Sequence, residues 1–119
     1  MKLIVCGDIN FSNRQLLSDT LHEYTKKNNI STIVIGTEPG AETLAAEWAM
    51  ANKFRLSIVP TERKIHGDDA IIERNKELIR RHSDVKAVLH FTGCQQSEDL
   101  CTRALRSRIA VDDVMGRHE

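Results

Sequence analysis

The stretch TIVIGTEPGAETLAAEW, residues 32–48, decides the fold of this chain. A β-branched apolar run stops at Gly36, crosses a short loop to Gly40 and continues as an alanine-rich sequence with helical spacing. A strand that leads into a helix through glycine is the repeating unit of parallel α/β sheets. Backbone N–H groups at such a turn lie near the positive end of the helix, so the stretch also resembles half of a phosphate-binding loop.

The same strand-to-helix alternation continues along the whole chain. Apolar runs predict five strands, at residues 3–6, 32–35, 56–59, 85–91 and 109–111, with helical spacing between them. The order β-α-β-α-β-α-β-α-β predicts an α/β protein with a single-domain, doubly wound Rossmann-like fold. We expect a five-stranded, mostly parallel sheet with helices on both faces. The domain is predicted to span residues 1–113, with a frayed tail at 114–119.

Local patterns add detail to this fold. Ser12 is predicted to cap the first helix, with Gln15 completing a capping box. Ser97 is predicted to cap the last helix, and the residues 61–69 are predicted to form a polar loop. Trp48 has helical spacing to its apolar neighbours and is predicted to belong to the core.

The composition excludes several classes of protein. The 119 residues include 17 basic and 17 acidic side chains, so no global field favours nucleic acid or an anionic membrane. No apolar run approaches the ~20 residues of a membrane span, and the N-terminus does not resemble a signal peptide. The three cysteines include no C-x-x-C pair, which predicts a reducing, cytoplasmic location. The histidines show no metal-ligand spacing with the cysteines, so neither a metal nor a cofactor is predicted.

A candidate site follows from the predicted topology. Ligands of doubly wound sheets bind beyond the carboxyl ends of the strands, where the strand order reverses. The loops at residues 7–10, 36–40, 61–69 and 92–97 lie there, and three of them carry a glycine directly after a strand. None contains a dinucleotide fingerprint or a Walker lysine, so two interpretations stay open: an anion-binding edge, or ordinary strand-to-helix turns.

Polar side chains near this edge can also be interpreted as binding residues or as structural residues. Arg74 suits bidentate contact with phosphate or carboxylate, and the adjacent Asn75 offers a donor and an acceptor. The alternative for Arg74 is a surface pair with Glu73 or Glu77. His90, alone at the end of a predicted strand, is interpreted as a packed, hydrogen-bonded residue.

Four motifs resemble those of the YspA-like branch of the SLOG superfamily, Rossmann-like proteins related to the LOG phosphoribohydrolases and to DprA. CGDINF, residues 6–11, resembles C-G-G-R-D-F, and IGTEPGAETLAAEWA, residues 35–49, resembles H-G-G-A-R-G-A-D-x-x-A-x-x-W-A. HGDDAIIERN, residues 66–75, resembles H-G-x-x-A-G-x-x-R-N, and FTGCQQSED, residues 91–99, resembles F-P-G-G-x-G-T-x-D. The resemblance covers roughly residues 3–111.

The resemblance implies a small-molecule nucleotide, or a nucleotide derivative, as the ligand at the named loops. The expected ligand-binding residues are Gly7, Asp8, Gly36, Thr37, Glu38, Gly40, Ala41, His66, Arg74, Asn75, Thr92, Gly93, Gln95, Gln96 and Ser97. LOG enzymes carry a catalytic glutamate where this chain has Leu100, which cannot do acid–base work. We therefore expect no catalytic residue, with Glu38 and Asp99 as the candidates if catalysis exists.

The expected function is non-catalytic binding of an ADP-ribose-type or cyclic nucleotide, for sensing or for sequestration, as in a phage or mobile element. The alternatives are a phosphoribohydrolase-like enzyme and a protein-interaction module that only retains the fold. A homo-oligomer through the Trp48 helix or the helix with Arg103 also stays open, whereas membrane and nucleic acid are not expected partners. Because a carboxylate suits ribose hydroxyls better than phosphate, Glu38 predicts that residues 36–41 hold the nucleoside, with phosphate nearer Arg74 and residues 93–97.

Overall fold

The computed structural model describes residues 1–114 and has the predicted alternation of strands and helices. In chain order the elements are β1 (Lys2–Gly7), α1 (Arg14–Lys27), β2 (Thr32–Ile35), α2 (Ala41–Ala51), β3 (Arg55–Ile58), α3 (Arg63–His66), α4 (Ala70–Arg81), β4 (Ala87–Phe91), α5 (Gln95–Arg106) and β5 (Ala110–Asp113). A single 3₁₀ turn, Gly67–Asp69, joins α3 to α4.

The five strands form one sheet in the order β3-β2-β1-β4-β5, and all four neighbouring pairs are parallel. Helices α1 and α2 pack on one face, while α4 and α5 pack on the other. The predicted doubly wound, Rossmann-like fold is therefore confirmed. The strand order reverses between β1 and β4, which places the topological switch point at the carboxyl ends of these two strands.

Each face of the sheet has its own hydrophobic core. Alternate residues of β1 divide between the two, because successive side chains of a strand point to opposite faces. Leu3 and Val5 pack with α1 and α2, whereas Ile4 and Cys6 pack with α4 and α5. Trp48 belongs to the first core, as its spacing predicts, and its ring lies 4.9 Å from that of Phe54.

Three local predictions need correction. Helix α1 is capped by Asn13, whose side chain accepts the N–H of Leu16 at 3.0 Å, and not by Ser12. Helix α5 begins one turn before the prediction because Cys94, with extended backbone, is the cap and Ser97 lies inside the first turn. The polar segment 61–69 is not an irregular loop, since α3 and the 3₁₀ turn occupy most of it.

The described part of the chain ends just after β5. Val114 follows β5, packs against the first core and donates its N–H to the carbonyl of His90 at 2.9 Å. The rest of the predicted frayed tail, residues 115–119, lies outside the described residues. Within residues 1–114, no helix is both long and apolar enough to cross a membrane.

Candidate functional site

Two loops meet at the switch point. The backbone of Asp8, directly after β1, donates its N–H to the carbonyl of Phe91 at the end of β4, at 3.1 Å. The carbonyl of Asp8 in turn accepts the N–H of Phe11 at 3.1 Å and the N–H of Ala41 at 3.2 Å. The loop after β1 is therefore held against both β4 and the first residue of α2.

Gly7 and Gly40, which the sequence predicts to contact a ligand, are in close contact with other parts of the protein. A Cβ atom at Gly7 would lie 2.2 Å from the carbonyl oxygen of Phe91, so no side chain fits there. A Cβ atom at Gly40 would lie 2.3 Å from the carbonyl of Asp8, and Gly40 also has a φ of +82°. These glycines allow the first loop, β4 and α2 to approach closely, so their presence is explained without a ligand.

Gly36 accommodates a buried ion pair. Arg74 Nη1 on α4 donates to Glu42 Oε1 on α2 at 2.8 Å, and the two side chains are 2% and 5% exposed. A Cβ atom at Gly36 would lie 1.7 Å from that nitrogen, so glycine at the end of β2 opens the passage for the pair. Because α2 and α4 lie on opposite faces, the pair crosses over the carboxyl edge of the sheet. Glu73 and Glu77, the partners suggested by sequence, instead pair with Lys76 and with Arg80 and Arg81.

The ion pair continues into a hydrogen-bonded chain that reaches α5. Arg74 Nε donates to Asn75 Oδ1 at 3.1 Å, and Asn75 Nδ2 donates to Asp99 Oδ2 and to the carbonyl of Gln96, both at 3.0 Å. Asp99 also accepts from Arg103 Nε at 2.9 Å. We call Glu42, Arg74, Asn75, Asp99 and Arg103 the edge network. Arg74 and Asn75 are thus brought to the predicted edge, where Arg74 Nε and Nη1 and both polar atoms of the Asn75 side chain are engaged within the protein.

Glu38 is paired as well. Arg63 on α3 donates through Nη2 to Oε1 at 2.7 Å and through Nη1 to Oε2 at 3.1 Å. The hydrogen bond to Arg63 holds the pKa of Glu38 below its usual range, although burial alone would raise it. The pKa of Asp99 is also lowered, because its bonds to Arg103 and Asn75 outweigh the raising effect of burial. Both candidate catalytic carboxyls are therefore held in the charged state.

His66 lies away from the switch point, in a separate cleft of about 330 Å³ on the α4 side. The cleft is lined by Val59, Pro60, Glu62, His66, Ala70, Glu73, Arg74, Glu77 and Arg81. His66 is exposed, and Arg74 is the residue that the cleft shares with the edge network. The predicted contacts therefore fall into two neighbouring places.

The loop between β4 and α5 holds most of the predicted contacts that remain accessible. Gly93 and Gln95 are exposed, as is Thr37 on the neighbouring loop after β2. Thr92 has a φ of +50°, a conformation that a β-branched residue rarely adopts. The side-chain oxygen of Gln96 is buried and has no hydrogen-bond partner within residues 1–114. A strained backbone and an unpaired acceptor are typical of a loop that serves a ligand.

Beneath this loop, Cys6, His90 and Cys101 converge. Their ligand atoms lie within 4.8 Å of one another, and all three residues are buried. Hydrogen bonding to Cys6 lowers the pKa of Cys101 to about 6, with a further lowering from His90 and an opposing effect of burial. The pKa of Cys6 is raised by the bond to Cys101 and by burial. The sequence did not reveal this cluster because Cys6 is separated from His90 and Cys101 by most of the chain.

The edge network and the Glu38–Arg63 pair were also missed from sequence. Arg63 is 25 residues from Glu38, and Arg74 is 32 residues from Glu42, on elements that meet only in the folded sheet. One signal was available: HGDDAIIERN places Arg74 and Asn75 together on a helix that begins near the edge. That signal gives the location of the arginine but not its acidic partner.

Comparison with known proteins agrees with the fold and with the first two motifs. No curated protein and no solved structure gives a significant match to this chain. Residues 1–66, which include the loops after β1 and β2, match the model of the YAcAr family, described as the YspA, cpYpsA-related SLOG family. The third and fourth motifs lie almost entirely beyond the matched segment. Since more than half of the chain is matched, this protein belongs to the YspA, cpYpsA-related SLOG family.

Proposed function

We propose that this protein binds a nucleotide, or a signal derived from one, at the carboxyl edge of the sheet between β1 and β4. The observation that carries the proposal is the reversal of strand order between these two strands, at which the loops after both strands and the start of α5 come together. Open α/β sheets bind their ligands at this place. Membership of a SLOG family supports a nucleotide-related ligand.

The accessible groups at this edge fit the parts of a nucleotide. Gln95 is exposed in the first turn of α5, where backbone N–H groups and the helix dipole favour an anion such as phosphate. The buried oxygen of Gln96 lacks a donor, which a base amino group or a ribose hydroxyl would supply. The turn 36–41, with Thr37 exposed, remains the predicted position of the nucleoside.

The proposed role is binding without catalysis. Cleavage of an N-glycosidic bond uses a carboxylic acid that can give up a proton near neutral pH. The lowered pKa values of Glu38 and Asp99 make both groups poor general acids, and Leu100 at the LOG position is fully buried. A bound nucleotide would therefore remain intact, which suits a sensor or a sequestering protein.

Calorimetry with AMP, ADP-ribose and cyclic mononucleotides tests the proposal, with mass spectrometry of each ligand after long incubation. We expect micromolar binding of an intact ligand. Gln95→Glu places a negative charge at the start of α5 and should weaken binding by about tenfold or more. Gln15→Glu makes the same change at an exposed position of α1. This variant is the matched control and should leave affinity unchanged.

Three outcomes would contradict the proposal. Absence of binding at high micromolar concentrations would favour an interaction module with this fold. A cleaved nucleotide would favour the enzyme. Equal effects of Gln95→Glu and Gln15→Glu would move the ligand away from the start of α5.

A further inference from the structure

The cluster of Cys6, His90 and Cys101 has a chemistry distinct from that of the nucleotide edge. It combines two thiols and one imidazole, all from buried side chains, whose donor atoms are mutually within 4.8 Å. The three residues come from β1, β4 and α5, so each is positioned by a regular element. Sulfur and imidazole nitrogen are the donors that soft and borderline metal ions prefer.

The register of the sheet explains why these side chains converge. Cys6 on β1 is directly opposite His90 on β4, and His90 is directly opposite Asp113 on β5. Residues paired in register on neighbouring parallel strands point to the same face of the sheet. Cys6 and Cys101 both belong to the core on the α4 and α5 side, so α5 brings Cys101 over this row.

Ser97 and Asp113 lie next to the two nitrogens of His90. The Ser97 hydroxyl donates to the carbonyl of Cys94 at 3.1 Å and accepts the N–H of Cys94 at 2.9 Å. Its oxygen is also hydrogen-bonded to His90 Nε2, 2.8 Å away, which orients the ring. His90 Nδ1 lies 3.7 Å from Asp113 Oδ1.

We propose that Cys6, His90 and Cys101 bind one Zn²⁺ ion, as a set of two thiolates and one imidazole that leaves the fourth tetrahedral position open. Tetrahedral zinc with bonds of about 2.0–2.3 Å requires donor atoms about 3.3–3.8 Å apart, so movements of about 1 Å close the site. Two thiolates neutralise the ion, which keeps the buried site free of net charge. The bond from Nε2 to Ser97 orients the ring, as outer hydrogen bonds do in zinc sites.

A zinc titration of the full chain tests the proposal. The protein is purified in the presence of reductant, stripped with chelator and titrated with Zn²⁺ against a chromophoric chelator. We expect one equivalent of Zn²⁺ to bind. Replacement with Co²⁺ should give the charge-transfer and visible absorption of thiolate-bound tetrahedral cobalt, a readout that does not depend on any variant.

The third cysteine provides a matched control. Cys101→Ser should weaken zinc binding by about 100-fold or more, whereas Cys94→Ser, which lies outside the cluster, should change it by less than about twofold. Trp48 fluorescence shows whether each variant is folded.

Several results would overturn the zinc site. They are a stoichiometry of zero, cobalt spectra without thiolate bands, or equal losses in the Cys94 and Cys101 variants. A thiol titration of the denatured, non-reduced protein that finds one free cysteine instead of three would assign Cys6 and Cys101 to a disulfide.

Discussion

Glu38 accepts hydrogen bonds from both terminal nitrogens of Arg63, at 2.7 and 3.1 Å, so its negative charge is compensated from within the chain. The carboxylate is 8% exposed, whereas the arginine is 60% exposed and reaches it from the solvent side. The turn between Gly36 and Gly40 therefore presents an ion pair and not a bare carboxylate. Its repulsion of a phosphate is weaker than the sequence alone implies.

This pair makes the stability of the protein depend on pH in the acid range. The pKa of Glu38 in the folded state lies below its ordinary value of 4.5. The pair therefore stabilises the fold above pH 4.5, and the contribution disappears as the pH falls further, through the folded-state pKa. We expect Glu38→Gln to lower the melting temperature by a few degrees at pH 7 and by less at pH 3, measured by Trp48 fluorescence.

A second acid–arginine pair supplies the control for this pH dependence. Glu47 pairs with Arg14, but both side chains are substantially exposed. Such pairs contribute little, so Glu47→Gln should leave the melting temperature nearly unchanged at either pH. Equal effects of the two variants would contradict a special role for the Glu38–Arg63 pair.

The same substitution tests where the nucleoside lies. If residues 36–41 hold the ribose or the base, Glu38→Gln should reduce affinity for the nucleotide found by calorimetry by roughly tenfold, because a charged acceptor is lost. Glu23→Gln, at an exposed position of α1, should leave the affinity unchanged. Unchanged affinity in Glu38→Gln would move the nucleoside away from this turn, while leaving binding at the start of α5 intact.

A methyl group at Gly36 should break the edge network. In Gly36→Ala the new Cβ would meet Arg74 and Glu42, the buried ion pair, at 1.7 and 2.6 Å. Disruption of a buried pair destabilises a protein by about 3–5 kcal/mol, so urea unfolding should show a loss of at least about 3 kcal/mol. Gly67→Ala is the control for backbone strain without a contact, since nothing lies within 4 Å and its φ of +58° alone should cost about 1–3 kcal/mol. Equal losses would indicate that backbone strain, and not the ion pair, is responsible.

The ion pair itself should be strongly non-additive. Glu42→Met or Arg74→Met alone leaves one buried charge without its partner, which should cost about 3–5 kcal/mol of unfolding free energy. The double variant leaves no unpaired charge and should recover most of that loss. A double-mutant cycle by urea unfolding gives the coupling directly. Simple additivity of the two single losses would show that the charges do not interact.

Leu100 should not be convertible into the LOG-type glutamate. Its side chain is fully buried in the core between α5 and the sheet. Leu100→Glu would bury a carboxylate among apolar side chains and should destabilise the protein by more than about 4 kcal/mol without creating hydrolase activity. Leu105→Glu, on the exposed face of the same helix, should change stability by about 0.5 kcal/mol or less. A folded, nucleotide-cleaving Leu100→Glu variant would refute this placement.

The fold could be predicted from sequence because its signals are local. Apolar runs and helical spacing repeat along the chain, and five strands that alternate with helices predict a doubly wound parallel sheet. The start of α5 was misplaced since Ser97 looks like a cap, yet its hydroxyl binds Cys94 from inside the first turn. Cap identity depends on backbone angles that residue types do not determine.

The site was harder to predict because its interactions are long-range. The carboxyl edge followed from topology, and Arg74 and Asn75 do lie at it. Their partners Glu42 and Asp99 come from other elements, so no spacing rule connects them. The row of Cys6, His90 and Asp113 depends on strand register across three strands, which sequence periodicity does not specify.

The ion pair over Gly36 has a consequence for the evolution of the family. Gly36 and Glu42 lie in the segment that matches the family model, whereas Arg74 lies beyond it. In a relative without the arginine, the glutamate would be a buried charge without its partner. A side chain at position 36 fits only when both the arginine and the glutamate have been replaced. The three positions should therefore covary, which would link the segment that matches the family model to the rest of the chain.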